Sequence, residues 1–177
     1  MKKLLIVVDM QNDFVTGSLG SKEARAIVPA VKELIETFDG EVWFTRDTHL
    51  DNYLETQEGK KLPVVHCIKG SSGWEIIPEL KEFADKAVKI FNKNTFGSVE
   101  LAREIEDIQH LAITEKFDEI YLCGLCTGIC VINNAMLIKA VTPETPIKIV
   151  ANACACVTPE SHETALNAMR TCQIEVV

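Results

Sequence analysis

Leu4 to Val8 is an unbroken apolar run, the mark of a strand buried on both faces. Asp9 closes it well short of a secretory core, so the start of the chain reads as a strand and not as a signal segment. Residues 29–38 then set Val31, Leu34, Ile35 and Phe38 on one helical face, with Pro29 suited to the first turn. Glu41 to Thr45 predicts a second strand. Residues 46–63 are polar without a clean period and read as loop, with room for one helical turn. Val64 and Val65 predict a short third strand ending near His66, and Lys86 to Phe91 a fourth. Over 98–115, Leu101, Ile105, Ile108 and Leu111 share the face of one or two helices. Glu119 to Cys123 is a fifth strand, followed by a helix over 128–140 with Ile129, Ile132, Ala135 and Met136 inward. Ile147 to Ala151 is a sixth strand. Thr158 and Pro159 fit N-cap and first position of a last helix striped by Ala165, Leu166 and Met169, and Ile174 to Val177 predicts an edge strand.

Short β-branched runs alternating with amphipathic segments predict an α/β, Rossmann-like three-layer sandwich. The expectation is one domain over residues 1–177, with a central, mostly parallel six-stranded sheet in the order 3-2-1-4-5-6 and helices on both faces. A chain of 177 residues with 47% hydrophobic and 25% charged positions can fill such a core. The formal net charge of −8 argues against a nucleic-acid partner, which needs a basic face. No apolar run approaches a membrane span, so no membrane partner is expected. Seven cysteines, an odd count with no secretory context, point to reduced thiols in the cytoplasm.

In such sheets ligands bind beyond the carboxyl ends of the strands. The polar residues there are Asp9 after strand 1, Arg46, Asp47 and His49 after strand 2, His66 after strand 3, Lys93 after strand 4 and GLCTGIC (124–130) after strand 5. The assumed order makes strands 1, 4 and 5 neighbours, so Asp9, Lys93 and a cysteine meet at one edge, with Asp47, His49 and His66 beside them. Cys130 falls in the first turn of a helix, where unpaired amides and a nearby Lys93 ammonium favour a thiolate. Asp9 could accept the thiol proton and return it to a leaving amine, and the turn amides could hold an oxyanion. The plainer reading makes Cys130 a small buried helix residue. Cys123, Cys126 and Cys130 also spell C-x-x-C-x-x-x-C, open to a redox pair of Cys123 and Cys126 or to a zinc site with Cys154 and Cys156. Against both, Cys123 lies inside a central strand. Cys67, Cys154, Cys156 and Cys172 read as packing residues. Asp47-x-His49 with His66 suits zinc, iron or manganese with open positions; alternatively Asp47 caps a turn and His49 is solvated.

These residues together resemble the isochorismatase-like cysteine hydrolases, and within them the nicotinamidase/pyrazinamidase branch. The resemblance spans nearly the whole chain, through LLIVVDMQNDF (4–14), FTRDTH (44–49), HCIKG (66–70), FNKNTF (91–96), GLCTGICV (124–131) and ANACA (151–155). It implies a catalytic triad of Asp9, Lys93 and Cys130, with Cys130 as nucleophile. It implies a non-proline cis peptide between Leu125 and Cys126, and an oxyanion hole from the backbone amides of Cys126 and Cys130. It implies a divalent metal, zinc first with iron or manganese as alternatives, on Asp47, His49 and His66. It also implies a small-molecule amide substrate and a homo-oligomer, dimer or tetramer. The chain departs from the branch where tryptophans commonly flank the substrate ring: those positions are Thr48 and Pro63. Phe14, Phe96 and Trp74 are the aromatic residues left to line a substrate pocket.

The function expected is cysteine-dependent hydrolysis of a small amide through a thioester acyl-enzyme, with nicotinamide, giving nicotinate and ammonia, as the first candidate. A second candidate is another small amide, ureide or carbamoyl compound. A third, from a different class, is a non-catalytic thiol or metal sensor on the same scaffold; Asp9 and Lys93 beside Cys130 argue against it, since a sensor needs neither.

Overall fold

The computed structural model of the protein describes residues 1–111 and 115–177. Its centre is a six-stranded sheet in which every pairing is parallel, not merely most. The strands are β1 (Lys3–Val8), β2 (Glu41–Asp47), β3 (Lys89–Lys93), β4 (Glu119–Leu125), β5 (Ile147–Ala155) and β6 (Glu175–Val176), in the order β3-β2-β1-β4-β5-β6. Leu4 to Val8 are wholly inaccessible, as a central strand covered on both faces requires. The helices are α1 (Asn12–Val15), α2 (Lys22–Thr37), α3 (Gln57–Lys61), α4 (Pro78–Lys86), α5 (Val99–Gln109), α6 (Ile132–Val141) and α7 (Pro159–Thr171). Right-handed crossovers put α2 and α4 on one face and α5, α6 and α7 on the other. Accordingly α2 touches α4, and α6 touches both α5 and α7.

The predicted order holds, but its membership changes. Val64 and Val65 join no strand: the chain around them is irregular backbone, and Val65 is exposed. The strand ending in Lys93 therefore takes the outer edge beside β2, with Asp47 paired to Lys93, instead of lying next to β1. The helix expected over 29–38 is α2, which begins earlier, at Lys22, where the Ser21 side chain accepts from the Ala24 amide. Pro29 lies inside it; Pro29 is exposed, so the carbonyl it leaves unpaired is open to water. The helix expected over 98–115 ends at Gln109, leaving Leu111 exposed, and residues 112–114 lie outside the described residues. The last helix is capped as expected, with Thr158 and Ser161 forming a capping box.

Four backbone features shape the carboxyl edge of the sheet. Asp9, just past β1, and Cys67 both have φ of 48°, a conformation uncommon for residues with a side chain. Gly124 has φ of 111°, and a Cβ there would lie 2.2 Å from the Val8 carbonyl oxygen, so only glycine lets β4 approach β1 so closely. The Leu125–Cys126 peptide that follows is cis. Among the described residues, no helix is long and apolar enough to cross a membrane.

Candidate active site

The ends of β1, β2, β3 and β4 bring Asp9, Thr45, Lys93 and Cys130 together in a buried group. Lys93 lies two strands from β1, so its side chain spans the end of β2 to reach Asp9. Its ammonium is 2.6 Å from Asp9 Oδ2 and 3.5 Å from Cys130 Sγ. From the intervening strand, Thr45 Oγ1 donates to Asp9 Oδ1 at 2.6 Å. Cys130 sits in a π-helical turn, Thr127–Val131, that opens α6. Asn134, one turn further on, donates to the Cys130 carbonyl at 2.8 Å and accepts from the Ser98 amide at 2.9 Å, tying the cysteine turn to the loop after β3.

Charge within this group is set by burial and by close partners. Burial raises the Asp9 pKa above its ordinary value, although the Lys93 ammonium opposes the shift. Burial works against the Lys93 charge, but Asp9, Cys130 and Asp47 outweigh it and raise the ammonium's pKa. The Cys130 thiol is also raised, first by burial and then by the Asp9 charge, with Lys93 pulling the other way. Burial and the Asp9 charge thus oppose the thiolate that the helix-start position favours, and the Lys93 ammonium supports it.

A second cluster adjoins the first through Asp47. Ligand atoms of Asp47, His49, Glu58 and His66 all lie within 4.8 Å of one another. Asp47 Oδ2 is 2.9 Å from His49 Nε2 and 3.5 Å from His66 Nε2, and Asp47 Oδ1 is 3.5 Å from the Lys93 ammonium. Glu58 Oε1 closes the set at 3.7 Å from His49 Nε2 and 3.9 Å from His66 Nε2. The donors fit a divalent cation. His66 Nδ1 donates to the Val64 carbonyl at 2.7 Å, which turns Nε2 toward the cluster, where it would serve as the ligand atom for a bound cation. Burial opposes ionisation of Asp47, but hydrogen bonds from His49 and His66 hold its carboxyl well below the usual range. Burial and the Asp47 charge raise Glu58, a like-charge conflict that a cation between them would relieve.

A family model described as an isochorismatase domain matches residues 3–177. The chain belongs to the isochorismatase family. A nicotinamidase/pyrazinamidase from Mycobacterium tuberculosis is 28% identical over 186 residues, covering 99% of this chain and 98% of that protein. A solved nicotinamidase from Bacillus subtilis superposes with a TM-score of 0.82 at 30% identity, covering all of both chains. A solved pyrazinamidase from Pyrococcus horikoshii in complex with zinc gives 0.79 at 28% identity, covering 100% of this chain and 99% of that one. These relatives place the chain in the nicotinamidase branch of the family and make it a hydrolase of amide C–N bonds, which sets aside the non-catalytic sensor reading.

Beside the cation cluster opens a cleft of about 780 Å³, lined among others by His49, Glu58, Leu62, Phe96 and Ile129. Phe96 is 45% exposed at its wall. Phe14 packs its ring 5.5 Å from His66. Trp74 sits behind Thr48, donating to Thr48 Oγ1 at 2.8 Å, while the Arg46 guanidinium covers its ring at 3.7 Å. Its ring is thus engaged by the protein and lies outside the cleft's lining. Tyr53, which the sequence reading passed over, packs against His49 and His66 at 4.6 and 4.9 Å. Glu58 was also missed: it stands in a stretch without period, and only the five-residue helix α3, capped by Thr56, swings it toward the histidines. All seven cysteines are free, and Cys172 is exposed at the end of α7, not a packing residue. Among the described residues, the cysteines join no metal-ligand group.

Proposed function

We propose that this protein hydrolyses nicotinamide to nicotinate and ammonia through a thioester on Cys130. The observation that carries the reading is the buried line Cys130–Lys93–Asp9, placed directly beside a cation-competent cluster at a cleft. Asp9 takes the thiol proton as Cys130 Sγ attacks the amide carbon, forming the C–S bond. Lys93 keeps its charge throughout and offsets the negative charge that moves between Asp9 and Sγ. Backbone N–H groups of Cys126 and Cys130 hold the tetrahedral oxyanion. Asp9 returns the proton to nitrogen as the C–N bond breaks, and ammonia leaves. A water, deprotonated by Asp9, then attacks the thioester; C–S cleavage returns the thiol and releases the carboxylate product.

Asp47, His49, Glu58 and His66 would hold a divalent ion, with zinc first and iron or manganese as alternatives. When bound, it supplies a Lewis-acidic anchor for a ring nitrogen or a water at the mouth of the site. Glu58 enters here as a fourth ligand beside the three implied by resemblance. Free cysteines throughout suit a reducing compartment, and the enzyme is expected in the cytoplasm as a homo-oligomer.

A second reading, hydrolysis of another small amide or ureide, is favoured by Thr48 and Pro63, which leave the cleft without the branch's usual ring-flanking tryptophans. The test is ammonia release from a panel of amides, with the acid product identified. Nicotinamide as the fastest substrate supports the first reading. Rapid cleavage of an acyclic amide or ureide with nicotinamide untouched overturns it in favour of the second.

A further inference from the structure

Two polar side chains shortly after β1, Gln11 and, within α1, Asp13, take no part in the chemistry above, yet each grips backbone at or next to a cluster ligand. Gln11 is completely buried. Its Oε1 accepts from the Asp47 amide at 2.7 Å, and its Nε2 donates to the Asp47 carbonyl at 2.8 Å and to the Trp74 carbonyl at 2.9 Å. The topology explains this arrangement. β1 stops at Val8 while β2 runs on to Asp47, so Asp47 has no strand on its β1 side. On its other side it is paired with Lys93, whose carbonyl also accepts from the Thr48 amide at 2.7 Å. The primary amide of Gln11 stands where the missing strand's peptide group would be, offering one acceptor and one donor to the same residue.

Asp13 does the equivalent for the second arm. Its Oδ2 accepts from the Cys67 amide at 2.8 Å, at a residue held at φ of 48° immediately after His66. The Cys67 carbonyl in turn accepts from the His49 amide at 2.9 Å, so this one residue links both histidine arms.

We propose that Gln11 and Asp13 are positioning residues for the cation cluster. Gln11 fixes Asp47, Asp13 fixes the His66–Cys67 segment, and together they hold the donors at cation spacing before any ion arrives. The proposal rests on the metal reading given above. Groups that orient metal ligands typically change affinity by about 10–100-fold when removed.

The experiment measures zinc affinity by chelator competition, and melting of the metal-free form, on the full chain. Gln11→Ala and Asp13→Ala should each weaken zinc by about 10–100-fold. Gln11→Glu keeps the size of the side chain but sets a carboxylate oxygen against two carbonyl oxygens, so it should weaken zinc too. Asp13→Asn keeps an oxygen to accept from Cys67 and should bind near wild type. Ile105→Val, on the buried face of α5, should lower the melting temperature without moving zinc affinity, separating loss of stability from loss of position. Should the Gln11 variants not fold, the Asp13 pair decides. Wild type that holds zinc only with His49 and His66 present, and Gln11→Glu and Asp13→Ala that bind it equally well, would overturn this proposal and leave the metal reading standing. Asp13→Asn as weak as Asp13→Ala would overturn the hydrogen-bond account. No zinc on wild type, or zinc unaffected by a His49→Ala, His66→Ala double variant, would overturn both.

Discussion

Deleting the thiol of Cys130 should leave a folded and inert protein. The residue is 6% exposed in a packed turn, so Cys130→Ala removes one sulfur from a small site, a loss comparable to a buried methylene and about 1 kcal/mol. A domain stability of roughly 5–15 kcal/mol absorbs that. Activity has no such reserve. Lys93 and Asp9 stay paired at 2.6 Å, but the sulfur 3.5 Å from the Lys93 ammonium is gone. Loss of a covalent nucleophile should cost at least about 10⁴-fold in kcat, near 5.4 kcal/mol. Cys126→Ala is the comparison, since the proposed mechanism uses only the backbone N–H of Cys126, which alanine keeps. Its expected loss is below about tenfold, or 1.4 kcal/mol. The assay is ammonia release from nicotinamide as kcat/KM, with thermal melting of both variants. Equal losses in the two folded variants would leave the choice of nucleophile without support. A dead Cys126→Ala beside an active Cys130→Ala would refute it.

Chelation should abolish activity and shift the melting transition by only a few degrees, because the cluster lies at the sheet edge and the core of β1 and β4 is complete without it; added zinc should restore turnover. A melting collapse on chelation would show instead that the ion staples the fold. Nicotinamide should exceed benzamide by at least about a hundredfold in kcat/KM, roughly 2.7 kcal/mol, since benzamide has no ring nitrogen for the site to read. Near-equal rates would mean that the ring nitrogen is not recognised. Lys93→Met should abolish turnover and destabilise the fold by about 3–5 kcal/mol, because it leaves Asp9 and Asp47 buried without their shared cation. Unchanged melting would show that the two carboxyls are neutral without it.

Much of this architecture could be read from local pattern, and the failures have physical causes. Leu4–Val8 declares itself a central strand because burial on both faces requires an unbroken apolar run. Thr158 and Pro159 mark a helix start because capping is local chemistry. Val64–Val65 misleads because β-branched residues look the same whether or not a partner strand exists beside them. Hence Lys93 was expected next to β1, when in fact its long side chain crosses β2 to make the same ion pair. Pro29 suits a first turn by pattern, yet α2 begins at Lys22 behind Ser21; a solvent-facing proline inside a helix is tolerated in a way that sequence position alone does not reveal. Glu58, Tyr53 and Gln11 carry no periodic signal, since each matters only through what the folded chain brings to it. The protonation of Cys130 depends on burial and on its distance to Asp9, and neither is encoded in a helix-start pattern.

Asp47 belongs to both halves of the site, and this constrains what the site can accept. One of its oxygens faces the two histidines while the other lies 3.5 Å from Lys93, which in turn contacts Asp9 and Cys130. In the proposed mechanism a single carboxylate therefore sets the spacing between the point where an ion would hold a substrate and the sulfur that would attack it. That spacing has little freedom: β3 grips the Asp47 backbone on one side and the buried amide of Gln11 on the other. A substrate whose anchoring atom and amide carbon are joined by a rigid ring can match a fixed spacing without losing internal freedom on binding, whereas an acyclic amide must freeze its torsions to do so. Without flanking tryptophans to grip a ring by its faces, discrimination in this protein falls more heavily on that fixed distance. The open cleft by Phe96 should then affect how tightly amides bind, while the Asp47 junction decides which of them react.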